Sequence, residues 1–145
     1  PDRLVDLCRF VEVNPAVNQV ECNVFFQQHK AQDYMKSKGV QMQSWAPFAE
    51  GHNDLFHNET LTTIGEKYGK SVAQVVLRWH IQMGFCPVPG SKSPAHIQEN
   101  GEIFDFALTP EEMERMAGIN RHTPFYQVTP ESLQRLAVTK CNFEE

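Results

Sequence analysis

The chain of 145 residues lacks long apolar runs, an excess of basic charge and closely spaced cysteines. No stretch approaches the roughly 18–20 apolar residues that cross a bilayer, and no charged-then-apolar leader opens the chain. Thirteen Lys and Arg residues stand against 18 Asp and Glu residues, which gives a net charge of −5. Nucleic acids and anionic membranes require a basic surface, so neither is expected as a partner.

The four cysteines, at positions 8, 22, 86 and 141, show none of the close pairs that zinc sites and redox motifs use. We therefore expect reduced thiols and a cytoplasmic protein. The six histidines form no HExxH or similar ligand pattern, which disfavours a metal hydrolase. No metal ligands are predicted.

Helical and strand patterns alternate along the chain, whose length suits one domain. The predicted strands are 16–21, 40–45 and 85–88. The predicted helices are 2–12, 27–38, 61–68, 72–83, a helix from residue 94, a helix from residue 110, and 129–138. Strands that alternate with helices run parallel and are joined by right-handed crossovers. In such α/β folds the site lies at the carboxyl ends of the strands.

Residues 85–100, FCPVPGSKSPAHIQEN, combine a strand, a glycine turn and a capped helix start. Gly90 and Ser91 predict a flexible turn whose backbone N–H groups can approach an anion closely. Ser93 is predicted to be the N-cap of the following helix. A helix N-terminus directs free N–H donors at one point, which suits phosphate. An ordinary strand–helix connection with solvated polar residues explains the same pattern, and these residues alone leave both interpretations open.

Six motifs follow one another in the chain. They are NQVE at 18–21, SWAPFAEG at 44–51, GKSVAQVVLRW at 69–79, VPGS at 88–91, HIQEN at 96–100 and FDFALTPEEM at 104–113. In this order and spacing they resemble the C-terminal half of an aldo-keto reductase, in the style of bacterial 2,5-diketo-D-gluconate reductases. The resemblance implies an α/β fold, in which residues 1–120 are part of a (β/α)8 TIM barrel with about three parallel strands and flanking helices. Residues 121–145 would then be a C-terminal tail with a short helix.

The resemblance also implies the reduction of aldehydes and ketones with NADP(H), bound in an extended form across the barrel mouth. Gln19 would hydrogen-bond the nicotinamide carboxamide, and Trp45 would stack on the nicotinamide in place of the family's usual tyrosine. The other implied cofactor-binding residues are Ala46 and Phe48 along the pyrophosphate, Ser91, Lys92 and Ser93 near the 2′-phosphate, His96 in the position of a 2′-phosphate ligand, and Glu99 and Asn100 at the adenine.

Three positions depart from the expected pattern. Gly90 stands where the family usually has a lysine that contacts the 2′-phosphate, and His96 stands where an arginine commonly pairs with it. Loss of one charge-assisted contact, worth about 1.5–3 kcal/mol, would blunt the preference for NADP(H) over NAD(H). Lys92 is a partial substitute. Pro87 removes a hydrogen-bond donor from a strand that is expected to be central.

The family's catalytic Asp, Tyr, Lys and His come from the first half of the barrel, and this chain carries none of them. No catalytic residue is therefore assigned, and whether the chain is an enzyme by itself is left open. Three strands cannot close an eight-stranded barrel, so we expect a truncated reductase that is inactive alone and that either self-associates through open sheet edges or is loosely folded. The partner expected for the complete enzyme is a small carbonyl compound. The alternative function is a non-catalytic module that binds a nucleotide or a protein.

Overall fold

The computed structural model describes residues 2–127 and 129–138, so Cys141 lies outside the described residues. Strands alternate with helices there, as the sequence predicts. The elements are α1 (Asp2–Phe10), β1 (Val17–Glu21), α2 (His29–Ser37), β2 (Gln41–Trp45), α3 (Glu59–Tyr68), α4 (Val72–Met83), β3 (Cys86–Pro87), α5 (Pro94–Gly101), α6 (Pro110–Gly118) and α7 (Pro130–Val138). None of these helices is long and apolar enough to cross a membrane.

The strands form one parallel sheet in the order β1, β2, β3. β1 pairs with β2 over its whole length, from Val17 opposite Gln41 to Glu21 opposite Trp45. β3 pairs with β2 through two residues only. Within the described residues β2 is therefore the central strand, and β3, the strand of Pro87, lies at the edge of the sheet. At the edge of a sheet, a residue without an N–H donor costs no ladder hydrogen bond.

One face of the sheet is packed against helices, and the opposite face is open. Met42 and Ser44 of β2 are buried, and Met42 belongs to the core cluster that also contains Met35 of α2 and Trp79 of α4. Successive residues of a strand point to opposite faces, so the intervening residues of β1 and β2 project from the other side. That side carries Gln19, which is exposed.

The helix boundaries follow the caps that the sequence predicts. Ser71 and Gln74 form a reciprocal capping box at the start of α4, and Thr109 begins a second one at α6. The Ser93 hydroxyl accepts a hydrogen bond from the His96 N–H at the start of α5. These contacts satisfy N–H groups that have no partner inside the helix.

The buried side chain of Gln74 also holds α4 against the end of α5. Its Nε2 donates to the backbone oxygens of Glu99 and Glu102, at 3.2 and 3.0 Å. A buried amide that loses such partners is costly, so this contact specifies where α5 lies. The polar face of α5 therefore has a defined position relative to the N-terminus of α4.

A close backbone approach occurs at Gly65 in α3. Its carbonyl oxygen accepts from the Lys70 N–H at 2.9 Å, in the turn that joins α3 to α4. A Cβ atom at position 65 would lie 2.5 Å from the Lys70 carbonyl oxygen. Backbone atoms cannot rotate away as a flexible side chain can, so only glycine fits without moving this turn.

We expect Gly65→Ala to lower the free energy of unfolding by about 1–3 kcal/mol, the range for overpacked sites. The matched control is Gly118→Ala in the last turn of α6, where an added Cβ meets nothing within 4 Å. There the substitution is expected to stabilise the chain by about 0.5–1 kcal/mol, because alanine loses less backbone entropy than glycine. Urea unfolding followed by circular dichroism measures both, and equal effects of the two substitutions would contradict the close approach.

His80 is a fully buried histidine that connects α4 to the residue after β1. Its Nδ1 lies 2.8 Å from the Val76 carbonyl oxygen, and its Nε2 lies 3.2 Å from the Cys22 carbonyl oxygen. Burial lowers the pKa of the imidazole to about 4, against the opposing effect of these two hydrogen bonds. A neutral imidazole donates through one nitrogen only, so it satisfies one of the two carbonyl groups.

This burial predicts a loss of stability in mild acid. The pKa of His80 is about 4 in the folded chain and about 6.5 in the unfolded chain, so the unfolded chain binds more protons between these values. The free energy of unfolding should therefore be unaffected by this group above pH 6.5 and decline by up to about 1.4 kcal/mol per pH unit as the pH falls towards 4. Urea titrations from pH 7 to 4.5 measure the slope, and the slope should be shallower in His80→Gln. Parallel slopes in the two proteins would exclude His80 as the cause.

Candidate functional site

The carboxyl end of the β1–β2 pair carries Glu21 opposite Trp45. Gln19 lies in the middle of β1, opposite Gln43. Its Nε2 donates to the Gln43 Oε1 at 2.6 Å. Gln43 in turn approaches the Cys86 Sγ of β3, with its Nε2 3.8 Å away. Gln19 and Trp45 nonetheless lie on the same face, because paired residues of neighbouring strands share a face.

A groove follows the ends of β2 and β3. It consists of two adjoining cavities of about 530 and 380 Å³ that share Phe48, Phe56 and Gly90, and we call it the Phe48 groove. The larger cavity is lined by Phe48, Phe56, Ser71, Val72, Ala73, Gly90, His96, Glu99 and Asn100. The smaller cavity is lined by Ala46, Pro47, Phe48, Glu50, Gly51, Phe56, Val88 and Gly90.

Five predicted site residues line this groove: Ala46, Phe48, His96, Glu99 and Asn100. The last three come from one face of α5, as their spacing of three and four residues predicts. The two phenylalanine rings of the groove, from Phe48 and Phe56, have centroids 6.0 Å apart. The groove therefore combines an aromatic wall with a polar helix face.

The predicted residues at 91–93 form the loop that leads into α5 and do not line the groove. The Ser91 hydroxyl accepts from the Ser93 N–H at 3.1 Å, and the Ser93 hydroxyl caps α5. Both hydroxyls are thus hydrogen-bonded within the loop and give it its shape. Lys92 lies between them and is exposed.

Gly90 has a backbone conformation that residues with a side chain also adopt. The glycines with positive φ are at 39, 51, 69 and 84, and Gly90 is not among them. A Cβ atom added at Gly90 would meet nothing within 4 Å. A side chain therefore fits at this position of the groove, and the turn does not depend on glycine.

The loop after β2 has an unusual backbone that the sequence does not reveal. Between Ala46 and Asp54, the non-glycine residues with positive φ are Ala46, Ala49, Glu50, Asn53 and Asp54. This conformation costs roughly 1–2 kcal/mol for residues with a Cβ atom. Strain of this kind is concentrated at ligand sites, and here it lies beside the groove.

The segment after α6 covers the strand end next to Trp45. The buried carboxylate of Glu21 accepts the N–H of Phe125 at 2.9 Å and that of Tyr126 at 3.3 Å. The rings of Phe125 and Tyr126 lie 5.7 and 6.4 Å from the Trp45 ring, inclined at 72° and 74°. Glu21 is not among the site residues predicted from the sequence, although a carboxylate at the buried end of a strand signals a specific partner.

The described ranges contain no group of three His, Cys, Asp or Glu residues placed to hold a metal ion. The polar residues of the Phe48 groove come instead from α5, from the N-terminus of α4 and, at Glu50, from the loop after β2. These side chains offer hydrogen bonds and charge to the groove.

Comparison of the sequence with protein families and with characterised proteins identifies the same family. The model of the Aldo/keto reductase family matches residues 3–121. Glyoxal reductase of Bacillus subtilis is 42% identical over 118 residues, which are 81% of this chain and 42% of the relative. The 2,5-diketo-D-gluconic acid reductase B of a Corynebacterium species is 38% identical over 109 residues, which are 75% of this chain and 39% of the relative.

A solved structure of an aldo-keto reductase from Bombyx mori, in complex with NADP, has the same arrangement of elements. Its TM-score is 0.80 at 27% sequence identity, over 88% of this chain and 44% of that protein. The chain thus spans less than half the length of each of these three proteins.

Proposed function

The chain belongs to the aldo/keto reductase family, and we propose that it forms the NADP(H)-binding part of a reductase that acts on small carbonyl compounds. The resemblance to this family and to 2,5-diketo-D-gluconate reductases is confirmed. The three parallel strands with flanking helices correspond to part of a (β/α)8 barrel, the fold of the structural neighbours.

The observation that carries the proposal is the Phe48 groove, which brings together residues from three separate parts of the chain. Ala46 and Phe48 follow β2, Ser71 begins α4, and Glu99 and Asn100 come from α5. Aromatic walls with a few directed polar groups are typical of nucleotide sites. The groove begins at Ala46, directly after Trp45, so one extended ligand fits with its ring at Trp45 and its other end at α5.

The polar side chains in and beside the Phe48 groove suit NADP, the cofactor in the solved structure from Bombyx mori. Asn100 offers an amide and Glu99 a carboxylate for the edge of a purine. Lys92 and His96 offer positive or hydrogen-bonding groups at the N-terminus of α5, where the helix dipole favours a phosphate. Ser91 and Ser93 shape the loop beside them. When bound, NADPH supplies the hydride for reduction of a carbonyl carbon, and Gln19 and Trp45 would orient the nicotinamide ring. We expect NADP(H) to be preferred only modestly, with NAD(H) as a possible second cofactor.

Carbonyl reduction also requires a general acid near the developing alkoxide. Two of the three tyrosines lie away from Trp45, and for the third, Tyr126, the Asp, Lys and His that accompany the family's catalytic tyrosine come from the first half of the barrel, which this chain does not contain. Tyr34 lies on α2, and the hydroxyl of Tyr68 donates to the Glu112 carboxylate at 2.8 Å. Tyr126 belongs to the segment that is held by Glu21. We infer that the chain binds cofactor without turnover by itself, as a truncated reductase would.

The open strand edges and a cavity beside β3 each support a further proposal. β1 and β3 are both edges within the described sheet, and unpaired strand edges favour self-association. The alternative function, a module that binds a protein partner, is supported by an apolar cavity of about 590 Å³ beside β3, lined in part by Leu77, Phe85 and Phe104.

A cytoplasmic location and a division of the chain into residues 1–120 and 121–145 remain proposals from the sequence.

Titration with NADP⁺ separates cofactor binding from the alternative. We expect quenching of tryptophan fluorescence, because the nicotinamide ring stacks on Trp45, and NADP⁺ does not absorb in the range where tryptophan emits. Trp45→Leu should remove the quenching and weaken binding two- to tenfold, since aromatic stacking contributes about 0.5–1.5 kcal/mol. Calorimetry measures binding independently, and Trp79→Phe is the control because Trp79 is buried in the core. A protein-binding module would give neither quenching nor heat.

Gly90→Lys is expected to strengthen NADP⁺ binding by at least about tenfold, because a new charge-assisted contact to the 2′-phosphate is worth roughly 1.5–3 kcal/mol. The position has room for the side chain. Binding of NAD⁺, which lacks this phosphate, should not change. Gly90→Gln is the matched control for bulk without charge. Equal gains for NADP⁺ and NAD⁺ would place the 2′-phosphate away from this loop.

A further inference from the structure

We propose that Glu21 is a positioning residue that fastens residues 125–126 beside Trp45, so that the rings of Phe125 and Tyr126 form a wall where nicotinamide and carbonyl substrate would meet. The inference rests on the proposed function for what the wall encloses. The attachment itself depends only on contacts of this chain.

The first step is the position of the Glu21 carboxylate. Glu21 is the last residue of β1 and pairs with Trp45, so both side chains leave the same face at the same end of the sheet. Glu21 retains only 6% of its exposure. Among the described residues, no ion pair involves it. A buried carboxylate needs hydrogen-bond donors, and it finds them in the backbone of the segment after α6.

The second step is the geometry of the attachment. One carboxylate oxygen accepts the N–H of Phe125 at 2.9 Å, and the other accepts the N–H of Tyr126 at 3.3 Å. Two successive backbone groups are held, so the attachment fixes the direction of the chain as well as its distance. A carboxylate accepts on both oxygens, whereas an amide side chain offers one acceptor oxygen and one donor group. An amide at this position would therefore keep one acceptor oxygen and direct a donor group at one of the two N–H groups.

The third step is the position that this attachment gives to the rings of Phe125 and Tyr126. The rings of Phe125 and Tyr126 are nearly perpendicular to the Trp45 ring, so neither forms a parallel stack on it. They border Trp45 without taking the parallel stacking arrangement that a nicotinamide ring would adopt. The Phe125 ring also lies 5.3 Å from the His52 ring, which belongs to the strained loop beside the Phe48 groove. Phe125 therefore lies between the strand end and the loop.

The segment has a second attachment that does not involve Glu21. The Arg121 guanidinium donates to the Asn53 Oδ1 at 2.8 Å and lies over the Phe25 ring, 4.5 Å from its centroid. The Arg121 N–H also donates to the Phe25 carbonyl oxygen at 2.8 Å. Removal of the Glu21 carboxylate should therefore release residues 125–126 while residue 121 stays in place. A cavity of about 450 Å³ lies between the two attachments.

The test compares Glu21→Gln with the unchanged chain by hydrogen exchange at individual amides. We expect the amides of Phe125 and Tyr126 to exchange about tenfold faster in Glu21→Gln, as for a locally opened segment, while amides of α4 keep their rates. A general structural role would accelerate exchange throughout the chain and would overturn the proposal. Unchanged exchange at both amides would overturn it as well.

Phe125→Ala is the matched variant, because it removes a ring and keeps the N–H group that Glu21 holds. In a Trp79→Phe background, acrylamide should quench Trp45 more strongly in both Phe125→Ala and Glu21→Gln. Exchange at the Tyr126 amide should accelerate in Glu21→Gln alone. Equal acceleration in both variants would show that ring packing, and not the carboxylate, holds the segment.

Adding NADP⁺ to the unchanged chain tests whether residues 125–126 lie at the nicotinamide site. If nicotinamide binds against this segment, exchange at residues 125–126 should slow further at saturating NADP⁺. Binding measured by calorimetry without such slowing would place the segment outside the nicotinamide site and overturn that part of the proposal. Absence of NADP⁺ binding would instead refute the proposed function, and the exchange of Glu21→Gln would still decide the attachment.

Discussion

The parallel pairing of β1 with β2 is the constraint on which the site depends. Its register sets Glu21 opposite Trp45 and Gln19 opposite Gln43. A shift of β2 by one residue would turn Trp45 and Gln43 to the helix-packed face. That shift would also bring Met42 and Ser44 out of the core, so hydrophobic burial and the position of the polar side chains specify the same register.

The Phe48 groove depends on a second set of contacts, at the ends of the helices. Gln74 joins the start of α4 to the end of α5, and the capping hydroxyls of Ser71 and Ser93 define where these helices begin. The loop that closes the groove has a strained backbone between Ala46 and Asp54. Rigid helix ends with one strained loop are a common design for ligand sites, because the loop adapts while the helices keep their places.

Much of this arrangement follows from local sequence. Capping residues such as Ser71 and Thr109 specify helix starts through hydrogen bonds to residues three positions away, so the sequence shows them directly. The shared face of His96, Glu99 and Asn100 follows from helical spacing. The edge position of Pro87 and the contact between Glu21 and Phe125 do not, because they depend on residues far apart in the chain.

The open face of the sheet has a consequence for how the chain behaves in water. Gln19, Gln41 and Gln43 project from this face, beside Val17 and Cys86, and their amides remain hydrated when nothing covers them. A face of leucine and isoleucine would drive non-specific aggregation, whereas a glutamine face adheres weakly. Any assembly of copies should therefore begin along the margins of β1 and β3, with directional backbone hydrogen bonds, and produce ordered ribbons in preference to amorphous precipitate.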